Sequence, residues 1–198
     1  MTGTTLRTIC VYCGSSIGRE ASYAEQARLL GTTLARRGYG LVYGGAQIGL
    51  MGIIADAVLE AGGKAVGVMP KALLEKEVGH SGLTEFHVVE SMHDRKALMA
   101  ELADGFVALP GGIGTFEELF EIWTWAQLGF HRKPCGLLNV AGYYDHLVAF
   151  LDHAAAEGFV KEAQREMLIV AESVDELLAR FERYMPPPVA KVIDRQET

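Results

Sequence analysis

The chain has 198 residues, of which 49% are apolar and 22% charged, with a formal net charge of −7. This composition excludes a disordered chain and implies a packed core, and the length fits a single α/β domain over residues 1–185. The acidic balance excludes nucleic-acid binding as a main activity, because such binders carry a basic face. No apolar run reaches the roughly 18 residues of a membrane span. The start, Met1 to Arg7, lacks a signal-peptide pattern, so no membrane partner and a cytoplasmic location are expected.

In chain order, the first apolar run, 6–13, reads as a strand that ends in Cys13-Gly14-Ser15-Ser16. Cys10 and Cys13 form a C-x-x-C, but strand side chains three apart point to opposite faces. The spacing therefore reads as core packing, and neither a redox role nor a metal is expected. A helix near 20–37 leads to a strand at 40–43 that runs into Tyr43-Gly44-Gly45-Ala46. Next come a helix near 48–61 and a strand at 64–69. The stretch 70–84 mixes Pro, Gly, His and charges without a period and reads as a loop with room for one helical turn.

A strand at 85–90 precedes Ser91-Met92-His93-Asp94-Arg95-Lys96, where Ser91 and Asp94 have capping spacing for a helix near 91–102. Arg95 shares helical spacing with Leu98, Met99 and Leu102 and so leans toward the buried side. A cation near a helix start opposes the dipole and needs an anionic partner. The alternative is an exposed Arg-Lys pair on a solvated face.

A strand at 104–109 ends in Leu109-Pro110-Gly111-Gly112-Ile113-Gly114-Thr115, and a helix near 115–129 opens with Glu117 and Glu118. Its apolar stripe, Phe116, Leu119, Phe120 and Trp123, turns inward and leaves the glutamates at the mouth of the turn. Thr115-x-x-Glu118 has capping-box spacing, which would give Glu118 no task beyond holding the Thr115 N–H. Alternatively, a carboxylate beside an anion-binding turn serves acid–base or cation-stabilising chemistry. Strands at 134–138 and 167–171 and helices near 143–157 and 174–184 follow. The tail, 186–198, opens on three prolines, has little to bury and is expected to be extended and mobile.

This alternation predicts a Rossmann-like, doubly wound parallel sheet with helices on both faces. In such a sheet the three glycine turns share the carboxyl edge, where open α/β folds bind ligands. Glycine lets the backbone approach a phosphate, and the following helix offers free N–H groups and a positive dipole end. On that ground Gly14, Ser15, Gly44 and Gly45 are candidate binding residues. No turn completes a dinucleotide fingerprint, no acidic residue ends the second strand, and no phosphate-loop lysine motif is present. NAD and ATP are disfavoured.

Pro110 to Glu118 matches the P-G-G-x-G-T-x-x-E motif of the Lonely Guy family of cytokinin riboside 5′-monophosphate phosphoribohydrolases, often called lysine decarboxylases. The chain resembles that family from about Ile9 to Phe159, through Cys13-Gly14-Ser15-Ser16, Leu41-Val42-Tyr43-Gly44-Gly45, Gly49-Leu50-Met51-Gly52, Met92-His93-x-Arg95-Lys96, Thr124-Trp125-x-Gln127-Leu128-Gly129 and Gly136-Leu137-Leu138-Asn139-Val140. One departure is Ala46, where members commonly carry a third glycine.

The resemblance implies a hydrolase without a cofactor that cleaves the N-glycosidic bond of a nucleoside 5′-monophosphate, giving free base and ribose 5-phosphate. It implies Arg95 and Glu118 as the catalytic pair. It places Glu77, Lys96, Gly111, Gly112, Ile113, Gly114, Thr115, Phe116, Glu117 and Thr124 along the nucleotide site, in what is usually a homodimer. The helical surface carrying Trp123, Trp125 and Leu128 is the expected seat of self-association. Two other readings stay open: a non-catalytic nucleotide or cofactor carrier of the same fold, and a decarboxylase, which needs pyridoxal phosphate on a buried lysine.

Overall fold

The computed structural model describes residues 6–74 and 79–187; Glu77 and the tail from residue 188 lie outside the described residues. The elements run β1 (Thr8–Tyr12), α1 (Ala21–Arg36), β2 (Gly40–Tyr43), α2 (Gly49–Glu60), β3 (Ala65–Pro70), the single turn α3 (Lys71–Leu74) and β4 (Glu85–Val89). They continue with α4 (Met92–Leu102), β5 (Gly105–Ala108), α5 (Ile113–Gln127), β6 (Cys135–Leu138), α6 (Asp145–Ala156), the short α7 (Glu162–Arg165), β7 (Leu168–Ala171) and α8 (Val174–Glu182). Every strand lies within two residues of its expected place.

The seven strands form one sheet in the order β4-β3-β2-β1-β5-β6-β7, and every pairing is parallel. The chain builds outward from β1 to β4, then returns to the other side of β1 with β5. That reversal puts the topological switch point between β1 and β5, which pair from Ile9↔Gly105 to Tyr12↔Ala108. Turns leaving two such strands diverge to opposite faces and open a crevice between them.

A parallel sheet covered on both faces needs continuous apolar strands, as β1 and β5 supply. On one face Leu30 and Leu34 of α1, Ile54 and Val58 of α2 and Phe181 of α8 pack with Ile9, Val11 and Cys13. On the other, Met99 of α4, Leu119 and Trp123 of α5 and Leu151 of α6 pack with Cys10 and Tyr12. Cys10 and Cys13 thus enter opposite cores, as strand alternation requires. Burial pushes both thiols well above the usual cysteine range, which opposes the thiolate that redox or metal chemistry needs. Trp123 is buried, and its indole N–H donates to Gln164 O at 3.0 Å. That placement removes it from the surface expected to self-associate and leaves Trp125 half-buried. No described helix is long and apolar enough to cross a membrane.

Candidate functional site

The glycine turns after β1 and β5 are tied together at the switch point, where Gly14 N–H donates to Pro110 O at 3.1 Å. The approach admits no side chain at Gly111: a Cβ there would lie 2.1 Å from Thr115 Oγ1 and 2.9 Å from Gly14 N. Gly44, after β2, meets the guanidinium of Arg95, whose Nη2 would lie 2.2 Å from a Cβ at that position. Between the three turns a cleft of about 230 Å³ opens to solvent.

One end of the cleft is the start of α5. Gly112 is the cap residue, and the first intrahelical bond runs from Phe116 N–H to Gly112 O at 3.1 Å. The N–H groups of Ile113, Gly114 and Thr115 precede that bond and have no partner within the helix. Free donors and a positive dipole end suit this end of the cleft to an anion. Thr115 is therefore the third helical residue and not the cap. The helix starts two residues earlier than expected because the Pro110–Gly112 turn, pinned to Gly14, already supplies the break. Glu118 then sits too deep in the helix to close a capping box with Thr115, so the capping reading of Glu118 is corrected.

The cleft's charged groups come from α4 and α5. A capping box starts α4: Ser91 Oγ accepts the Asp94 N–H at 3.1 Å, and Asp94 Oδ2 accepts the Ser91 N–H at 3.1 Å. One residue on, Arg95 reaches inward, and its Nη2 stands 3.6 Å from Glu118 Oε1, with each side chain only 11% exposed. Arg95 Nε is buried without a hydrogen-bond partner among the described residues. Burial pushes the Glu118 carboxyl up to about 7, while the Arg95 guanidinium pulls it back. Glu118 therefore lies between charge states at neutral pH, as groups that handle protons do.

Lys96 takes a different path from its neighbour. Its ammonium bonds Glu117 and, at 3.0 Å, Glu121, joining α4 to α5. Burial alone would lower its pKa, but the two carboxylates outweigh burial and raise it. Neither cation of the Arg95-Lys96 pair lies on a solvated face.

Of the residues singled out from the sequence, Gly14, Ser15, Gly44, Arg95, Gly112, Ile113, Gly114, Thr115, Glu117 and Glu118 line the cleft. Others stand behind it. Gly111 closes the turn, and Lys96 stands behind Glu117, which it bonds. Gly45, at φ +81°, shapes the second turn and accepts the His80 N–H at 2.9 Å. Phe116 packs edge-on against Tyr144, with ring centroids 6.3 Å apart. Thr124 is exposed farther along α5 and donates its hydroxyl to Phe120 O at 2.7 Å, within its own helix. Ala46 is fully buried and bridges Gly79, so its methyl group packs into the core. Sequence reading missed Met51 and Met92, which line the cleft, and Tyr143, whose hydroxyl donates to Gly111 O.

Residues 51–181 match a family model described as "possible lysine decarboxylase". The chain is 52% identical over 180 residues to a cytokinin riboside 5′-monophosphate phosphoribohydrolase of Oryza sativa subsp. japonica, covering 91% of this chain and 74% of that protein. A protein of the same name from Arabidopsis thaliana is 50% identical over 180 residues (91% and 84% covered). One from Rhodococcoides fascians is 49% identical over 176 residues (88% and 89%). Among solved structures, the molybdenum cofactor carrier protein of Chlamydomonas reinhardtii has a TM-score of 0.69 at 21% identity, covering 90% of this chain and 97% of that one. The molybdenum cofactor binding protein of Rippkaea orientalis gives 0.65 at 19% identity (88% and 94%). These two share the fold. On the strength of the sequence relatives and the family model together, the chain belongs to the cytokinin riboside 5′-monophosphate phosphoribohydrolase family.

Proposed function

We propose that the protein hydrolyses the N-glycosidic bond of cytokinin riboside 5′-monophosphates and AMP, releasing the base and ribose 5-phosphate. The observation that carries this reading is Glu118, an enclosed carboxyl poised near neutrality, facing Arg95 beside the free N–H groups of α5. As the bond between base and C1′ breaks, its electron pair leaves with the base and positive charge builds on the sugar. An ionised carboxylate in a water-poor cleft stabilises that cation, or takes the proton of the water that adds to C1′. We assign this role to Glu118; the proton passes on to the departing base. The Arg95 Nε, unpartnered among the described residues, can donate to a phosphate or ribose oxygen. The N–H groups of Gly112, Ile113, Gly114 and Thr115 take the phosphate, and Lys96 orients Glu117.

The carrier reading rests on the shared fold with cofactor carriers and leaves the poised carboxyl without a task. A pyridoxal-dependent decarboxylation needs a free amine in the cleft. None of the described lining residues is a lysine, and the Lys96 ammonium is committed to Glu117 and Glu121. We also propose a homodimer: Met92 and Leu102 are exposed on α4, and Trp125 is half-buried on the neighbouring α5. Two-fold pairing is the smallest arrangement that closes such a surface. Three unpaired cysteines suit the proposed cytoplasmic location.

The test is product analysis after incubation with AMP, its N6-prenylated analogue and adenosine. Free base and ribose 5-phosphate from the monophosphates, with adenosine cleaved far more slowly, are expected. Nucleotide recovered intact would leave a carrier.

A further inference from the structure

The turn between β6 and α6 lies outside the cleft's charged groups, yet it reaches the anion site. In it Ala141 adopts φ +51° and ψ +33°, the one positive φ among described non-glycine residues, and Gly142 follows at φ +70°. A left-handed alanine persists only where its surroundings over-determine it, and such residues cluster at functional sites. The buried Asn139 provides that hold. Its Oδ1 accepts the Tyr144 N–H at 2.7 Å, its Nδ2 donates to Asp145 Oδ1 at 2.7 Å, and its own N–H donates to Ala171 O at 2.8 Å.

The kink aims two adjacent tyrosines at the turn after β5. Tyr144 donates its hydroxyl to Leu109 O at 2.6 Å, and Tyr143 donates to Gly111 O. The Tyr143 ring is wedged edge-on between Tyr144 and Tyr23 of α1, with centroids 4.9 Å and 5.6 Å away. Its hydroxyl therefore has little freedom to point elsewhere.

In a trans peptide the carbonyl of one residue and the N–H of the next point in opposite directions. Pro110 O is held by Gly14 N–H and Gly111 O by Tyr143, so the N–H groups of Gly111 and Gly112 face away from those partners. Neither N–H donates to a described residue. A Cβ at Gly112 would meet nothing within 4 Å, so that side of the Gly111–Gly112 peptide is open to an approaching anion. A flipped Gly111–Gly112 peptide would present a carbonyl oxygen where an anion needs a donor. We infer that Tyr143 is a positioning residue for the phosphate: its hydroxyl locks the Gly111–Gly112 peptide so that the Gly112 N–H joins those of Ile113, Gly114 and Thr115 in one donor array. The inference rests on the proposed reading of this cleft as a nucleoside monophosphate site.

Tyr143→Phe keeps the ring cluster and removes only the hydroxyl. With the melting temperature preserved, KM for AMP and the inhibition constant of inorganic phosphate should each rise roughly tenfold, the worth of one hydrogen bond to an ionised group. kcat should change far less, and the preference for AMP over adenosine should fall by the same factor. A purely structural tyrosine would instead weaken both substrates alike. Wild-type phosphate affinity in Tyr143→Phe, or equal losses on AMP and adenosine, would overturn the inference. If the wild-type protein fails to cleave AMP, the proposed function falls by itself. Calorimetric binding of inorganic phosphate to the wild-type and variant proteins then still decides the role of Tyr143, with equal affinities counting against it.

Discussion

Arg95 Nη2 and Glu118 Oε1 face each other at 3.6 Å across the cleft, close enough for charge attraction but too far for a good hydrogen bond. Both side chains are enclosed, so water screens the pair weakly, and yet the Glu118 carboxyl rises to about 7. Desolvation of the carboxylate outweighs what the guanidinium returns at that separation. A closer, bidentate contact would hold Glu118 permanently ionised. The longer one leaves its charge adjustable near neutrality and leaves Arg95 Nε available to an anion.

The rate should follow the charge of Glu118. If the carboxylate is the working form, log kcat/KM for AMP should climb with unit slope as pH approaches about 7 and level off above it. Arg95→Met removes the influence that lowers the Glu118 pKa, so the rise should move to higher pH. A profile that instead falls through 7 would make Glu118 a general acid and overturn its assigned role.

Stability should follow the same proton with the opposite sign. Below about 4.5 both folded and unfolded chains hold it; between 4.5 and 7 only the folded chain does. The native state binds more protons in that window, so stability falls as pH rises, by up to ~3 kcal/mol, and is flat above 7. Glu118→Gln lacks this dependence. Urea unfolding at pH 5 and pH 8 should show wild type losing stability relative to the variant; parallel behaviour would rule out a raised pKa.

The glycines of the cleft should separate by what a methyl group would meet. Gly111→Ala collides with Thr115 and the Gly14 backbone, so it should lower the melting temperature and activity together. Gly44→Ala meets chiefly the movable Arg95 guanidinium. It should fold well while losing roughly 10- to 100-fold in kcat/KM, because the cation proposed to position the substrate is displaced by about an ångström. Gly112→Ala meets nothing in the free protein and should keep its melting temperature while binding inorganic phosphate more weakly. Thermal midpoints beside AMP kinetics for the three variants check this order.

Self-association is tested at Trp125. Light scattering of the wild-type protein at micromolar concentration should report a dimer, and Trp125→Arg should shift it toward monomer. A wild-type monomer would remove the proposed interface.

The sheet was legible because buried parallel strands read as continuous apolar runs that stop at glycine. Arg95 and Glu118 stood out as a cation at a helix start and a carboxylate after a glycine turn. Their partners did not. Adjacent positions on a helix point about 100° apart, which sends Arg95 to Glu118 and Lys96 to Glu117 and Glu121, a division that needs the placement of α5. The role of Thr115 depended on where α5 begins, which the Gly14–Pro110 contact fixes from another strand. Tyr143 reaches Gly111 because β6 lies beside β5. No local pattern near Tyr143 contains that fact.

The central claim is that the Glu118 carboxylate performs chemistry on the sugar, and turnover of AMP by Glu118→Gln tests it most directly. Glutamine keeps the shape and cannot ionise. Losing the charge should remove about 3 to 4 kcal/mol of transition-state stabilisation, or two to three decades in kcat. AMP should still bind, because the N–H groups at the start of α5 are untouched. The account predicts that kcat collapses while the dissociation constant of AMP, measured by calorimetry, stays within a few-fold of wild type; near-normal turnover by Glu118→Gln would contradict it.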